Sequence, residues 1–504
     1  MTQFGTTERY RRLRYAVSSS AFLVLLAPTA AAAQVIAVKT LPFADADQFS
    51  FFPSLFAGMG DVRIALADSV HDPFVNPATA ARLRYPLVFS APAVFTVSGD
   101  AGRGRTYPLG VLGRRGASFG GAAVAIQSIT EAQPLGAIAA TAIPEGPSNS
   151  TASSRSNNYG FLMLGHTFAA SRLSVGASAF WSDLGTVDGT SLLYAGSRGV
   201  NQAGRAADLR LGMLKEWNGG QSLEALLFNR RVGMTHDVTY GDPYWDPVGR
   251  RAVIRDRLEH ERDRTNAWGM HLEYARPIGD SGWRAGVIVT ANRLNNPSRP
   301  AYEIETVPGD RGRASAFNVG VGLARAHGLT TFAVDAIYEP ITNRIWGVSD
   351  TIAATNGTTV QRGDKTIESR LRFSNAILRT GASRDLTLSS DTRLQLQLGV
   401  QARSIYYTFD QRDFLYGAVR KGNENWMEWT RSWGAMLRRA SFQLHYRGRT
   451  TTGAGRPGVI PVFAAPVVGI RSDVFPPVPV TTATTSLRDV SVVTHQLSIS
   501  LFIR

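Results

Sequence analysis

From about residue 85 onward, apolar and polar positions alternate with period two in one segment after another. The last ten residues are the clearest case. Leu497, Ile499, Leu501 and Ile503 alternate with Ser498, Ser500, Phe502 and Arg504. Such a pattern gives a strand one apolar side and one small, polar or mixed side. Read between turn signals, it predicts strands near 85–97, 105–114, 117–129, 159–169, 172–182, 205–217, 221–234 and 264–277. Further strands are predicted near 282–293, 314–326, 329–339, 367–379, 391–406, 423–438, 440–449 and 487–503. That makes sixteen, and fourteen if an early segment is misread. Short turns, such as Asn218-Gly219-Gly220 and Gly279-Asp280-Ser281, alternate with long connections such as 131–158, 235–263, 340–366 and 450–486. Short turns at one end and long loops at the other are the asymmetry of bacterial outer-membrane barrels. The predicted class is all-β: an antiparallel transmembrane β-barrel of even strand number, both termini on the periplasmic side.

A soluble sandwich also alternates, so the placement of charge has to discriminate. In residues 391–406, Leu394, Leu396, Leu398, Val400 and Ala402 oppose Arg393, Gln395, Gln397, Gln401 and Arg403. In residues 367–379, Leu371, Phe373 and Ile377 oppose Glu368, Arg370, Arg372 and Ser374. An arginine facing lipid at mid-bilayer costs ~2–4 kcal/mol, so the charged faces should line the lumen. Arg210, Arg284, Arg370, Arg372, Arg393, Gln395, Gln397 and Arg403 are the expected lumen-facing residues. Trp217, Tyr274, Trp283, Tyr338, Tyr406, Trp429 and Tyr446 fall near strand ends on apolar faces, as interfacial girdles require.

Residues 1–33 carry the marks of a cleaved signal peptide, with Gln34 as the expected mature start. Arg9, Arg11, Arg12 and Arg14 precede an apolar run at 21–27, and Ala31-Ala32-Ala33 supplies small residues for cleavage. That run is far short of the ~20 residues of a spanning helix. The expected organisation is a leader at 1–33, an N-terminal segment at 34–84 and the barrel at 85–504. The chain has no cysteine, which rules out disulfides and thiolate metal sites. Its net charge is +15, and losing four arginines and one glutamate with the leader leaves +12. The arginines are scattered, and lysine occurs only at 39, 215, 365 and 421, so no nucleic-acid partner is expected. Location instead suggests outer-membrane lipid and lipopolysaccharide as partners of the basic loops, including the charge run at 250–264.

Residues 57–83 read AGMGDVRIALADSVHDPFVNPATAARL, with too little alternation for a spanning strand and too many small residues and prolines for a long helix. Asn76 before Pro77 favours a turn closed by its own side chain. Ala57, Gly58 and Gly60, then residues 65–68, then Asn76-Pro77-Ala78 ahead of the first strand resemble the N-terminal element of the FadL-like family of long-chain fatty acid transporters. PorV-related proteins share that element. Family members usually continue with glycine, where this chain has Thr79.

The resemblance implies a hatch folded into the lumen, with Asn76, Pro77 and Ala78 as its motif. It also implies uptake of hydrophobic small molecules, fatty-acid-like or aromatic, and their sideways exit through a kinked third strand. Here that strand carries Phe119-Gly120-Gly121-Ala122, so Gly120 and Gly121 are the candidate wall kink.

The remaining chemistry is sparse. Eight histidines form no HExxH pair, and the GDPYWD stretch at 241–246 lacks calcium-loop spacing. No catalytic set can be filled, so no enzymatic activity, metal or cofactor is expected, and the chain should act as a monomer. Two other readings stand beside uptake. One is a secretion-associated PorV-like barrel that docks exported proteins, and the other is a diffusion porin whose arginines select anions.

Overall fold

The computed structural model describes residues 51–98, 102–131, 153–186, 197–246, 248–249, 251–296, 311–349, 353–355, 358–453 and 491–504. The expected leader at 1–33, residues 34–50 and most of the loops at 131–158 and 450–486 lie outside these residues. Strand β1 comes in two halves, Leu87–Ser90 and Ala93–Val97. It is followed by β2 (Gly102–Arg115), β3 (Ser118–Glu131), β4 (Ser153–Phe168), β5 (Leu173–Leu184) and β6 (Ser197–Glu216). Next come β7 (Ser222–Asp246), β8 (Arg251–Ile278), β9 (Trp283–Asn296), β10 (Arg311–His327) and β11 (Thr330–Val348). The chain closes through β12 (Lys365–Thr387), β13 (Thr392–Asp413), β14 (Val419–Arg439), β15 (Phe442–Thr452) and β16 (Val492–Phe502).

Each strand pairs antiparallel with its sequence neighbours, and both halves of β1 pair with β2 and with β16. Seventeen paired segments, two of them halves of one strand, therefore make a closed barrel of sixteen. Closure leaves the barrel itself no edge strand among the described residues. Strand β1 begins, and β16 ends, at the rim that carries the short turns, with Leu87 opposite Phe502.

Outward positions form a continuous apolar belt that includes Leu109, Leu164, Leu211, Val321, Leu398 and Leu501. Leu398 is 69% exposed and Leu164 66%, which no aqueous surface would favour in such numbers. Lipid is the solvent that fits, and the chain is a membrane-spanning β-barrel. No helix among the described residues is long and apolar enough to cross a membrane. Trp217, Tyr338, Tyr406 and Trp429 stand 40–51% exposed.

Two differences from the sequence-based expectation concern the walls. The connection expected at 235–263 is instead mostly strand, because β7 and β8 stay paired from Ser222↔Ala275 to Asp246↔Arg251. A spanning strand needs only ~9–11 residues, so this 25- and 28-residue pair continues far beyond the belt. The expected inner face of β12 is also inverted. Leu371, Phe373 and Ile377 are buried against the interior, whereas Arg370 and Arg372 point outward. Beyond the belt the outer face meets water and tolerates charge, so alternation there does not report which side is the lumen.

Candidate functional site

Residues 51–84 occupy the barrel interior. The segment is built from three short 3-10 turns, Ala57–Met59, Asp72–Phe74 and Pro77–Arg82. Asp68, 1% exposed, knits them together. Its carboxylate accepts from the backbone N–H of Leu55 (2.5 Å), Val70 (3.0 Å) and His71 (3.0 Å), while its own N–H donates to Asp72. The His71 ring bonds the Phe52 carbonyl at 2.7 Å. Asn76 caps the last turn, its Oδ1 accepting from the N–H of Ala78 at 3.2 Å. Pro77 follows at the first helical position, where its missing N–H costs nothing.

This segment is bonded around the wall. The Asn76 amide donates to the Met213 carbonyl on β6 and to Glu224 on β7 at 3.2 Å. Arg82 bridges Glu216 and Glu224 at 3.0 and 2.8 Å, and Arg114 on β2 donates to the Ala81 carbonyl. On the far side, Asp335 of β11 accepts from the N–H of Arg63 and Ile64. Gly60 donates to Ser432 of β14 at 2.8 Å. The wall has no side chain where the segment's backbone passes. A Cβ on Gly381 or Gly286 would sit 2.0 Å from the carbonyl oxygen of Met59 or Ile64, and one on Gly399 would sit 2.1 Å from the nitrogen of Gly60.

The interior is chemically divided. On the β1–β7 side, Phe51, Phe52 and Phe74 of the segment meet Phe89, Phe161 and Phe180 of the wall, with ring centroids 5.0–5.8 Å apart. Leu112, Met163, Leu184 and Leu214 complete this apolar compartment. Toward β12–β15 the segment carries Asp61. Burial opposes its charge, but the Arg447, Arg379, Arg449 and Arg63 guanidiniums hold its carboxyl below the usual range. Asp72 has the reverse balance. Burial, reinforced by the Asp68 and Glu224 carboxylates, pushes it well up. A cavity of about 760 Å³ opens at the short-turn rim between Phe56, Ala65 and Leu66 of the segment and Glu216, Trp217 and Arg284 of the wall.

The residues singled out from sequence fall in different places. Arg210 donates to the Phe74 and Val75 carbonyls and clamps Asp208, while Arg284 donates to the Ala65 carbonyl. Gln397 donates to the Leu55 carbonyl at 2.7 Å and to Gln395, and Arg403 pairs with Glu339 and Glu428. Arg393 stands exposed at the short-turn rim on the same face. Arg370 and Arg372, as noted, face outward. Gly120 and Gly121 do not kink the wall. Strand β3 pairs without a register shift with β2 and β4 throughout, because two small residues fit a regular ladder as readily as a bulge.

The wall's interruption lies instead at Ala91-Pro92 of β1. Register on either side puts Ala91 opposite Pro108 of β2 and Pro92 opposite Leu497 of β16. Neither proline can donate to its partner. The side chains of Ser90 and Gln496 make substitute bonds to the Pro108 and Ala91 carbonyls. Phe89 of the aromatic compartment belongs to the same strand half. Sequence reasoning missed these prolines, Glu224 and the aromatic cluster, and it quoted Asp68 only within the stretch at 65–68, not as the residue that knits the segment together. Pro92 and Pro108 within predicted strands were the available signal.

Among solved structures, the chain is similar to a FadL homologue of Pseudomonas aeruginosa, with 11% identity, 90% of this chain and 99% of that one covered, and a TM-score of 0.45. It is similar to the Pseudomonas putida toluene transporter TodX at 10% identity, 90% and 98% coverage and a TM-score of 0.37. Similarity to the Ralstonia pickettii toluene transporter TbuX has 9% identity, the same coverages and a TM-score of 0.38. Likenesses of this size concern general architecture alone, which the strand pairing establishes independently. No protein-family model and no curated protein matches the chain.

Proposed function

We propose that this chain is an outer-membrane uptake channel for hydrophobic small molecules, closed by residues 51–84 as a hatch. The observation that carries the reading is the aromatic compartment between hatch and wall, which borders an interrupted strand whose other side is the lipid belt. An apolar ligand entering at the long-loop rim can exchange its own contacts for the aromatic ones, worth ~0.5–1.5 kcal/mol per ring pair, at little net cost. It then leaves sideways between β1 and β2, where Pro108 weakens the ladder. Lateral exit spares it the charged β12–β15 side of the lumen. The anion-porin reading loses its constriction, since Arg210 and Arg284 hold the hatch and Arg370 and Arg372 face outward.

The absence of native cysteine allows a direct test. Ser90 and Leu109 face each other across β1 and β2 beside the prolines. Oxidising Ser90→Cys/Leu109→Cys should block uptake of a radiolabelled alkylbenzene or long-chain fatty acid, and reduction should restore it. A control bridge across β3 and β4, Ala122→Cys/Leu162→Cys, should leave uptake intact. Unchanged uptake with the first bridge formed would refute exit through this seam. Absence of saturable uptake in the unmodified protein would refute the transport reading itself.

A further inference from the structure

Strand pairing gathers arginines on the outside of the barrel at one level. Asp183, Arg205, Gly233 and Arg264 form a row across β5–β8, and Trp181, Ala207, Arg231 and Asn266 form the next. Paired residues of an antiparallel ladder point to the same face, and these rows lie on the face that carries Leu209, Leu227 and Met270 nearer the short-turn rim. The second row continues from Asn266 through Asn295 to Arg313, Arg344 and Arg370 on β10–β12. The cationic level thus begins where the apolar belt ends, with Trp181 and Trp268 at the boundary, 52% and 58% exposed. A groove of about 830 Å³ runs between the first rows, lined by Trp181, Arg205, Arg231 and Arg264 among others.

The charge there is largely uncompensated. Arg205 is 90% exposed on its side chain, and its ion pair with Asp183 is 3.7 Å long. Arg231 donates to Asn229, a neutral partner. Farther round, Glu368 is shared by Arg344, Lys365 and Arg370, three cations to one carboxylate. A row of guanidiniums at the polar edge of a lipid-facing wall matches phosphates held at headgroup depth. Each planar fork can take two oxygens of one phosphate. Trp181 and the belt below would meet the acyl chains, and the groove between them has room for a sugar.

We propose that the groove bounded by Arg205, Arg231 and Arg264 binds the phosphorylated diglucosamine of lipopolysaccharide. The assignment rests on reading the long-loop rim as the outward one, as the uptake proposal does. The test is independent of both orientation and transport. The purified full chain in an uncharged detergent would be titrated with bis-phosphorylated lipid A, its dephosphorylated counterpart and phosphatidylglycerol, with bound lipid counted by native mass spectrometry. Arg205→Gln/Arg231→Gln/Arg264→Gln should weaken binding of bis-phosphorylated lipid A at least tenfold, and Arg205→Gln alone two- to fourfold. Arg325→Gln/Arg384→Gln at the opposite rim should change it less than twofold. The dephosphorylated lipid should bind weakly and equally to every variant, and retained heat-modifiable migration would show each barrel to be folded. Equal lipid A binding by the triple variant, an equal loss in the opposite-rim control, or phosphatidylglycerol binding as tight as lipid A would each overturn the proposal.

Discussion

Gly399→Ala tests how the hatch is seated. The added Cβ would lie 2.1 Å from the Gly60 nitrogen and from the Met59 carbonyl carbon, both backbone atoms with no flexible side chain to yield. Ordinary contact begins near 3.4 Å, so the turn at Gly58–Gly60 must withdraw by about 1.3 Å. Gly60 is held at φ +78° and is also close to the Thr380 carbonyl, which leaves the turn little room for a small adjustment. Withdrawal breaks the Gly60–Ser432 bond of 2.8 Å and the Ser432–Gly58 bond of 3.2 Å. Overpacking costs ~1–3 kcal/mol and each of the two bonds ~0.5–1.5 kcal/mol, together ~2–6 kcal/mol, of which about 3 kcal/mol against the seated hatch is a low figure. At about 1.4 kcal/mol per tenfold, the unseated population rises roughly a hundredfold. Single-channel recording in planar bilayers should show open events at least tens of times more frequent. Gly422→Ala, which adds a Cβ with nothing within 4 Å, should behave as the parent protein. Indistinguishable records for Gly399→Ala and Gly422→Ala, with both barrels folded, would refute the close seating.

Leu398→Arg should destabilise the barrel by ~2–4 kcal/mol in urea titrations with lipid vesicles, whereas Asn423→Arg, exposed beyond the belt on β14, should change stability by ~0.5 kcal/mol or less. Asn76→Ala removes the cap of the last hatch turn and the amide bonds to Met213 and Glu224. It should cost the hatch ~1–2 kcal/mol, read as faster amide exchange at residues 76–84 in a barrel of unchanged migration. The hatch should also respond to pH through Asp72. Its carboxyl is raised above the ordinary 3.8, so the stabilisation from its proton is complete below 3.8 and lost as pH rises through the raised value. Open events should therefore increase as pH rises from about 4 through the raised value and lose most of that dependence in Asp72→Asn. Asp61 is depressed and acts in the opposite sense, its contribution disappearing only as pH falls below 3.8, outside that window.

All sixteen strands were legible because lipid on one side and a packed interior on the other impose period two on every crossing. Strand lengths were less legible. Beyond the belt, the outward Thr235 and Asp237 have no apolar medium to face and the buried His236 is polar as well, so the ladder continues with little apolar alternation to reveal it. The inversion of β12 has the same origin. Its outer end turns Phe373 inward and Arg372 to solvent, whereas nearer the short turns Leu378 points outward and is 50% exposed. The seat of the hatch was hidden for another reason. Gly381, Gly399 and Gly286 matter by what they lack, and only their partners 222 to 340 residues away in the chain show why. Asn76-Pro77-Ala78 was readable as a turn, but its link to Glu224 was not.

The most direct test is planar-bilayer conductance of the intact protein beside a variant lacking residues 57–83. A plugged barrel predicts small, rare currents from the intact chain and a large, steady conductance from the deletion, with the same heat-modifiable migration for both. Large conductance in the intact chain that the deletion leaves unchanged would contradict the account.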